Sequence, residues 1–306
     1  MIYNGVVINP DKYLLPSYKL GPFSAKDINI NKELPENNIC DDFFKKHFTD
    51  YKSTYTVNGR EALNLALQNC LLDKDDVVTI LTSTQNFYIS SCVTSEIEKF
   101  CRWDREVTVN TKIILVNHEF GFACEQLEEL KKLNLLIIED CAHAFGSSLG
   151  EHTIGKTGDY VIFSFPKFFP LQIGGLLLSK RNLNGKSALS DPELQYIKNV
   201  ISNYTASISK FSQKRKDNHQ YLAEKISILG CKPRFDIKTG IVPGVFMFEV
   251  PSNINAIVLK DYFFANGVEC SVFYKENAVF IPCHHNLEKE DLDHFLTLIY
   301  FYFKNI

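Results

Sequence analysis

Five short runs between residues 77 and 179 are mostly apolar at consecutive positions rather than at alternate ones: Val77 to Leu81, Thr111 to Val116, Leu135 to Ile138, Tyr160 to Phe165 and Leu176 to Ser179. A strand with one wet face alternates, whereas a strand apolar throughout has to be covered on both faces. Stretches of helical spacing separate the runs, at Glu61 to Leu72, after Asn86, and at Cys124 to Leu133. This rhythm predicts an α/β fold, a mostly parallel sheet sandwiched by helices, in which ligands bind beyond the carboxyl ends of the strands. Asp140 and Lys167 sit at such ends.

The turn-rich stretch Arg181 to Asp191, followed by Pro192, predicts a domain boundary, giving a large α/β domain over 1–185 and a small α+β domain over 186–306. The second begins with a long polar helical region from about Glu193 to Leu229. It continues with a strand at Gly244 to Val250, a helix at Asn255 to Asn266 closed by Gly267, a strand at Ala278 to Ile281 and an amphipathic helix at Glu288 to Phe303. Residues 1 to 50 read as irregular.

Composition removes several classes of function. With 306 residues, 45% hydrophobic and 13% aromatic, the chain can bury a full core and is neither disordered nor collagen-like. A net charge of -3, with basic residues scattered among acids, argues against a nucleic-acid partner. Met1 to Lys12 lacks the pattern of a leader peptide, and no eighteen apolar residues run together, so the reading is no membrane span and a cytoplasmic protein. Nine scattered cysteines without a Cys-x-x-Cys pair fit reduced thiols.

Four landmarks occur in order: Asn58-Gly59-Arg60-Glu61-Ala62; Glu139-Asp140-Cys141-Ala142-His143-Ala144-Phe145-Gly146; Gly158-Asp159 followed by Phe163-Ser164-Phe165-Pro166-Lys167; and Gly174-Gly175. Together they resemble the DegT/StrS family of sugar aminotransferases, which have the fold type I architecture and use pyridoxal phosphate (PLP). His118-Glu119-Phe120-Gly121 is similar to the family's His-x-aromatic-Gly turn, and Ile281-Pro282-Cys283-His284 to its late strand. The resemblance runs from about Val57 to Ser179 and resumes more weakly from Pro243.

The resemblance implies a role for each residue. Lys167 is the Schiff-base lysine, which also moves a proton between substrate and cofactor; among Phe165, Pro166, Phe168 and Phe169 it lacks the neighbours of a solvated lysine. Asp140 keeps the pyridine nitrogen protonated, although an isolated strand-end Asp commonly caps a turn. His143 orients the ring near its phenolic oxygen, or is a satisfied half-buried histidine. Gly59 and Arg60 at a helix start, with the Ser164 hydroxyl, hold the phosphate. Phe87, from the segment Gln85 to Tyr88, stacks on the other face, with Asn86 aligning almost as well. Arg60 departs from the family's Thr or Ser.

Gly150 to Thr157 satisfies the Walker A pattern, but a P-loop follows a strand and opens a helix, whereas Gly158-Asp159 and a strand follow here. His284-His285 beside Cys283 lacks a second cluster with metal-site spacing, and no metal is expected. Two further departures are the tight spacing of Ser164 and Lys167 and a chain several dozen residues shorter between Gly175 and Tyr221. An Asn-x-Arg segment normally reaches across the dimer there. The resemblance implies a homodimeric PLP aminotransferase acting on a nucleotide-linked keto-deoxysugar, with glutamate as amino donor, in surface polysaccharide or antigen synthesis. The competing reading is a shortened relative without transaminase activity that serves as a binding or assembly subunit.

Overall fold

The structure, a computed structural model, describes residues 15–149 and 152–305. The reading of Met1 to Lys12 lies outside the described residues, as do Gly150 and Glu151 of the Walker-like stretch. Contacts divide the chain into two compact units, one of Phe23–Ile208 with Thr239–Ile241 and one of the remainder.

The first unit opens with two helices, α1 (Ala25–Lys32) and α2 (Ile39–His47), where an irregular segment was expected. Apolar periodicity misses α1 because the residues it buries are Asp27 and Asn31. Asp27 completes a capping box with Ser24, and Asn31 donates to the Pro170 carbonyl at 2.8 Å. Next come β1 (Lys52–Thr56), α3 (Gly59–Gln68), β2 (Val77–Thr82), α4 (Ser91–Ile97), β3 (Arg102–Asp104), β4 (Thr111–Asn117), α5 (Leu127–Leu130) and β5 (Leu136–Asp140). A small hairpin of β6 (Ser148–Leu149) and β7 (His152–Thr153) leads to β8 (Tyr160–Ser164), β9 (Gly175–Ser179) and α6 (Asp191–Tyr204).

Seven of these strands form one sheet in the order β1-β9-β8-β5-β4-β2-β3. The pairs from β8 to β3 are parallel, while β9 opposes both of its neighbours. Both faces are covered, which explains the unbroken apolar runs. In β4, Ile113 and Leu115 pack with α3 and α4 residues, while Ile114 and Val116 pack with Cys124 and Leu130 on the other face. The helix expected over Cys124 to Leu133 is reduced to one turn, α5, followed by a 3-10 turn that ends at Asn134 in the left-handed region.

The long polar helical region is split by a 3-10 turn at Thr205–Ser207 into α6 and α7 (Ile208–Ile226). The division between units falls there rather than near residue 186, because α6 belongs with the sheet unit: Ile197 lies against the Gly174 backbone and Asn199 accepts the Asn37 N-H at 2.8 Å.

The second unit holds α7, β10 (Lys232–Pro233), β11 (Phe246–Glu249), α8 (Ala256–Ala265), β12 (Ser271–Phe273), β13 (Ala278–Ile281) and α9 (Lys289–Lys304). Its antiparallel sheet runs β10-β11-β13-β12. Its core gathers Leu222 and Ile226, Phe246 and Phe248, Leu259 and Phe263, and Phe295 and Ile299, with Tyr302 and Phe303 packed at the edge. His284 and His285 belong to this core: His284 Nε2 donates to the Lys19 carbonyl at 3.1 Å, and His285 stacks on Phe211 at 3.7 Å. Burial pushes their imidazoles down, to about 3 and about 2 respectively, so they stand neutral.

Among the described residues no helix is long and apolar enough to cross a membrane. All nine cysteines are free thiols.

Candidate active site

The parallel register places Thr82, Asn117, Asp140 and Ile162 in one row across β2, β4, β5 and β8. The segments leaving that row therefore share one rim of the sheet: loop 83–88, the turn at His118 to Gly121, residues 140–143, and the turn carrying Lys167. On the antiparallel side, Thr56, Gly175 and Ser164 form a second row across β1, β9 and β8. This brings the start of α3 to the same rim.

Gly175 makes this junction. A Cβ there would lie 2.6 Å from the Asn58 carbonyl carbon, a distance no side chain tolerates. The backbone ties on either side are Gly174 N-H to the Val57 carbonyl at 2.7 Å and Phe165 N-H to the Gly174 carbonyl at 3.1 Å. The Gly-Gly landmark thus joins the lysine turn to the helix start through its backbone.

Asn58 caps α3 by accepting the Glu61 N-H at 3.0 Å. The N-H groups of Gly59 and Arg60 have no acceptor among the described residues. Ser164 lies alongside, its Cβ 3.4 Å from where a Cβ on Gly59 would stand. Two open first-turn amides, the positive end of a helix and a hydroxyl form a cradle for an anion. The Arg60 side chain itself is exposed, and its charge acts on Glu96 of α4.

Asp140 is half-buried at the end of β5 and accepts the Ala142 N-H at 3.0 Å. Burial pushes its carboxyl up from the ordinary value, against the opposing pull of that N-H and of the positive field of Lys167. Asp140 and Lys167 are thus electrically coupled across the rim. Lys167 ends the 3-10 turn Phe165–Lys167. At the root of that turn the Phe165 ring packs against Phe44, Tyr55 and Phe169, and Phe145 and Phe168 extend the cluster through Phe169. His143 is half-buried, with its ring centroid 5.4 Å from Phe120, which in turn lies 6.2 Å from Tyr88. Phe87 is 61% exposed, with the Arg105 guanidinium over it at 6.0 Å.

Glu139 has a part that the sequence did not reveal. It is fully buried and accepts the N-H groups of Gly155 (3.0 Å), Thr157 (2.7 Å) and Gly158 (2.6 Å), together with His118 Nε2 at 3.0 Å. His118 Nδ1 accepts the Cys124 N-H at 3.1 Å, which assigns the ring proton to Nε2, facing Glu139. Burial raises the Glu139 carboxyl, but the His118 hydrogen bond and the loop amides outweigh it and hold the group below its ordinary value. At Gly158 a Cβ would come within 2.7 Å of the Tyr160 carbonyl, so the close approach needs glycine. The described amides of the Walker-like stretch therefore wrap an internal carboxylate. His118, Glu139 and Cys141 also lie within metal-ligating distance of one another, but both His118 nitrogens and both Glu139 oxygens are already engaged by protein groups. An acid inside an otherwise apolar strand was the available signal for this lock.

PLP needs an anion cradle, a carboxylate for its ring nitrogen and an amine for its aldehyde, and these three are gathered on one rim. The open amides beside Ser164 and a carboxyl raised by burial, which a cationic ring nitrogen would draw down, both fit the group.

Residues 100–188 match the DegT/DnrJ/EryC1/StrS aminotransferase family. The chain is 35% identical over 142 residues to GDP-perosamine synthase of Escherichia coli O157:H7, covering 40% of this chain and 38% of that protein. It is 29% identical over 187 residues to dTDP-3-amino-3,6-dideoxy-alpha-D-galactopyranose transaminase of Aneurinibacillus thermoaerophilus, covering 54% of this chain and 48% of the relative. The matched stretch thus spans less than half the length of these two relatives. Among solved structures the fold is similar to the putative sugar aminotransferase Spr1654 of Streptococcus pneumoniae in its PMP-form, with a TM-score of 0.72 at 15% identity, covering 95% of this chain and 99% of that one.

Proposed function

We propose, starting from the segment of this chain that belongs with the DegT/DnrJ/EryC1/StrS aminotransferases, that the protein is a PLP-dependent aminotransferase. Its substrate class is a nucleotide-linked keto-deoxysugar, whose keto group becomes an amine. Glutamate serves as amino donor, in the cytoplasm and in a homodimer, for surface polysaccharide or antigen synthesis. The names of the two relatives support the sugar class, and the PMP-form of the Streptococcus pneumoniae protein supports the cofactor. The observation that carries the reading is a single rim holding the Gly59 and Arg60 amides beside Ser164 together with the coupled pair Asp140 and Lys167.

When bound, PLP supplies an electron-accepting ring for the charge released as a proton leaves carbon. The chain's residues supply the rest. The Gly59 and Arg60 N-H groups and the Ser164 hydroxyl hold the phosphate. Asp140 accepts the ring N-H and keeps that proton in place. His143 lies against the ring's phenolic side, and Phe87 is assigned to the opposite face. Lys167 would hold the cofactor through Nζ, and the same amine would take and return the proton at the substrate carbon.

The test is chemical: incubate the protein with PLP, reduce with borohydride and map the peptides. A phosphopyridoxyl adduct on Lys167, lost in Lys167→Ala, is the expected result. No adduct under conditions that label a known aminotransferase overturns the assignment. An adduct without amino transfer to any nucleotide-linked keto-sugar favours the binding or assembly role instead.

A further inference from the structure

Two charged side chains outside the chemistry above grip loop 83–88 from below. Glu119, 3% exposed, accepts both the N-H and the Oγ1-H of Thr84 on Oε2, each at 2.7 Å, while its Oε1 is buried with no hydrogen-bond partner among the described residues. Arg105 donates Nη2 to the Asn86 carbonyl at 2.6 Å and to Thr82 Oγ1 at 3.2 Å, and its Nη1 is likewise buried and unbonded among the described residues. Between these two anchor points Gln85 is held at φ 60°, in the left-handed region that residues with a side chain avoid. Ser83 adds a third tie, donating to the Phe122 carbonyl at 2.5 Å and accepting the Glu119 N-H at 3.1 Å.

This arrangement is an expensive way to hold a loop. The buried Glu119 carboxylate loses its hydration and the half-buried Arg105 guanidinium part of its own, each leaves a buried polar atom without a partner among the described residues, and the segment between them is strained; a neutral acceptor or an apolar plug would hold the loop at lower cost. Such a cost persists where the position of the segment matters. Here it matters because the residue after Glu119 is Phe120, also left-handed at φ 52°, whose ring touches both His143 and Tyr88.

We propose that Glu119, with Arg105 on the far side, is a positioning residue: it fixes loop 83–88 and, through Phe120, the ring of His143, as the wall against which the flat cofactor rests. The proposal rests on the PLP reading for its ligand, but the clamp itself does not. Carboxylate geometry rather than charge does the holding, because Thr84 presents two donors to one oxygen.

The experiment uses the full chain as wild type, Glu119→Ala, Glu119→Gln and Arg105→Met. Hydrogen exchange at the amides of residues 84, 85 and 88 is followed without cofactor, and PLP is then titrated while the visible absorbance and circular dichroism of the bound chromophore are recorded. In Glu119→Ala exchange at these amides rises about tenfold, PLP affinity falls about tenfold and the visible dichroism shrinks, the loss of roughly one hydrogen bond. Glu119→Gln, which keeps an acceptor oxygen, restores the exchange and the dichroism. Arg105→Met gives a smaller change in the same direction and carries the test if Glu119→Ala does not fold. Wild-type exchange and dichroism in Glu119→Ala, or equal losses in the Ala and Gln variants, overturn the proposal. Faster loop exchange in Glu119→Ala beside a wild type that binds no PLP supports the clamp and overturns the cofactor reading.

Discussion

Two clusters of backbone amides, each built around glycine, sit in the sheet unit: one in the stretch that satisfies the Walker A pattern without its context, the other at the helix start expected to hold a phosphate. At Gly155, Thr157 and Gly158 the N-H groups converge on the Glu139 carboxylate, which His118 holds from the other side. At Gly59 and Arg60 the N-H groups meet no acceptor among the described residues and stand beside Ser164. The difference lies not in the glycines but in who supplies the anion. In the first cluster the chain brings its own, and the amides become structure; in the second they remain open to a ligand.

The strongest way to break this comparison is to take away the internal anion. Glu139→Ala leaves three amides and a histidine N-H buried without an acceptor, and is expected to cost about 3 to 5 kcal/mol in urea unfolding. A variant as stable as wild type would remove the account of the filled cluster. Acid sharpens the same point. The Glu139 carboxyl is held below its ordinary 4.5, so its contribution is complete above that pH and fades as pH falls through the lower folded value. Glu139→Gln has no such group and should lose the corresponding part of the slope of stability against pH below about 4.5, measured as denaturation midpoints across pH.

The open cluster should respond in the opposite sense. Ser164→Ala is expected to weaken binding of PLP about fivefold, the worth of roughly one hydrogen bond, while stability stays within about 0.5 kcal/mol of wild type. Smallest of all is Arg60→Ala. Its N-H survives and its exposed guanidinium faces the field of Glu96, so PLP affinity should stay within about twofold, the effect of a screened surface charge. A tenfold loss there would move the phosphate contact from the backbone to the side chain.

Much of the sheet was legible because burial on both faces leaves a signal in a strand's own residues: β4 and β5 carry Ile-Ile-Leu-Val and Leu-Ile-Ile runs. The strand β1 was not, since Lys52-Ser-Thr-Tyr-Thr is exposed at its start and buries only Tyr55 and Thr56. The first helix was hidden by burying polar residues, and α5 fell short of its expected length because of its residues 127–130 only Leu130 is buried. In the candidate site, Asp140, Lys167, Ser164 and Gly59 were readable as strand-end and helix-start residues. The amide partners of Glu139 lie 16 to 19 residues downstream and its histidine 21 upstream, and the Thr84 partner of Glu119 lies 35 residues upstream. Such pairings are set by sheet order, which no local window contains. Phe87, singled out as an aromatic, is 61% exposed, and the loop's anchors are its neighbours Thr84 and Asn86.

Because β9 lies between β8 and β1 and opposes both, strand direction flips twice across this part of the sheet, and two flips leave β8 and β1 with one heading. Parity, rather than loop length, therefore keeps the amine and the helix start on a common side. Trimming or extending the connection from β8 to β9 leaves that side unchanged, because each strand's heading is set by the neighbour it bonds.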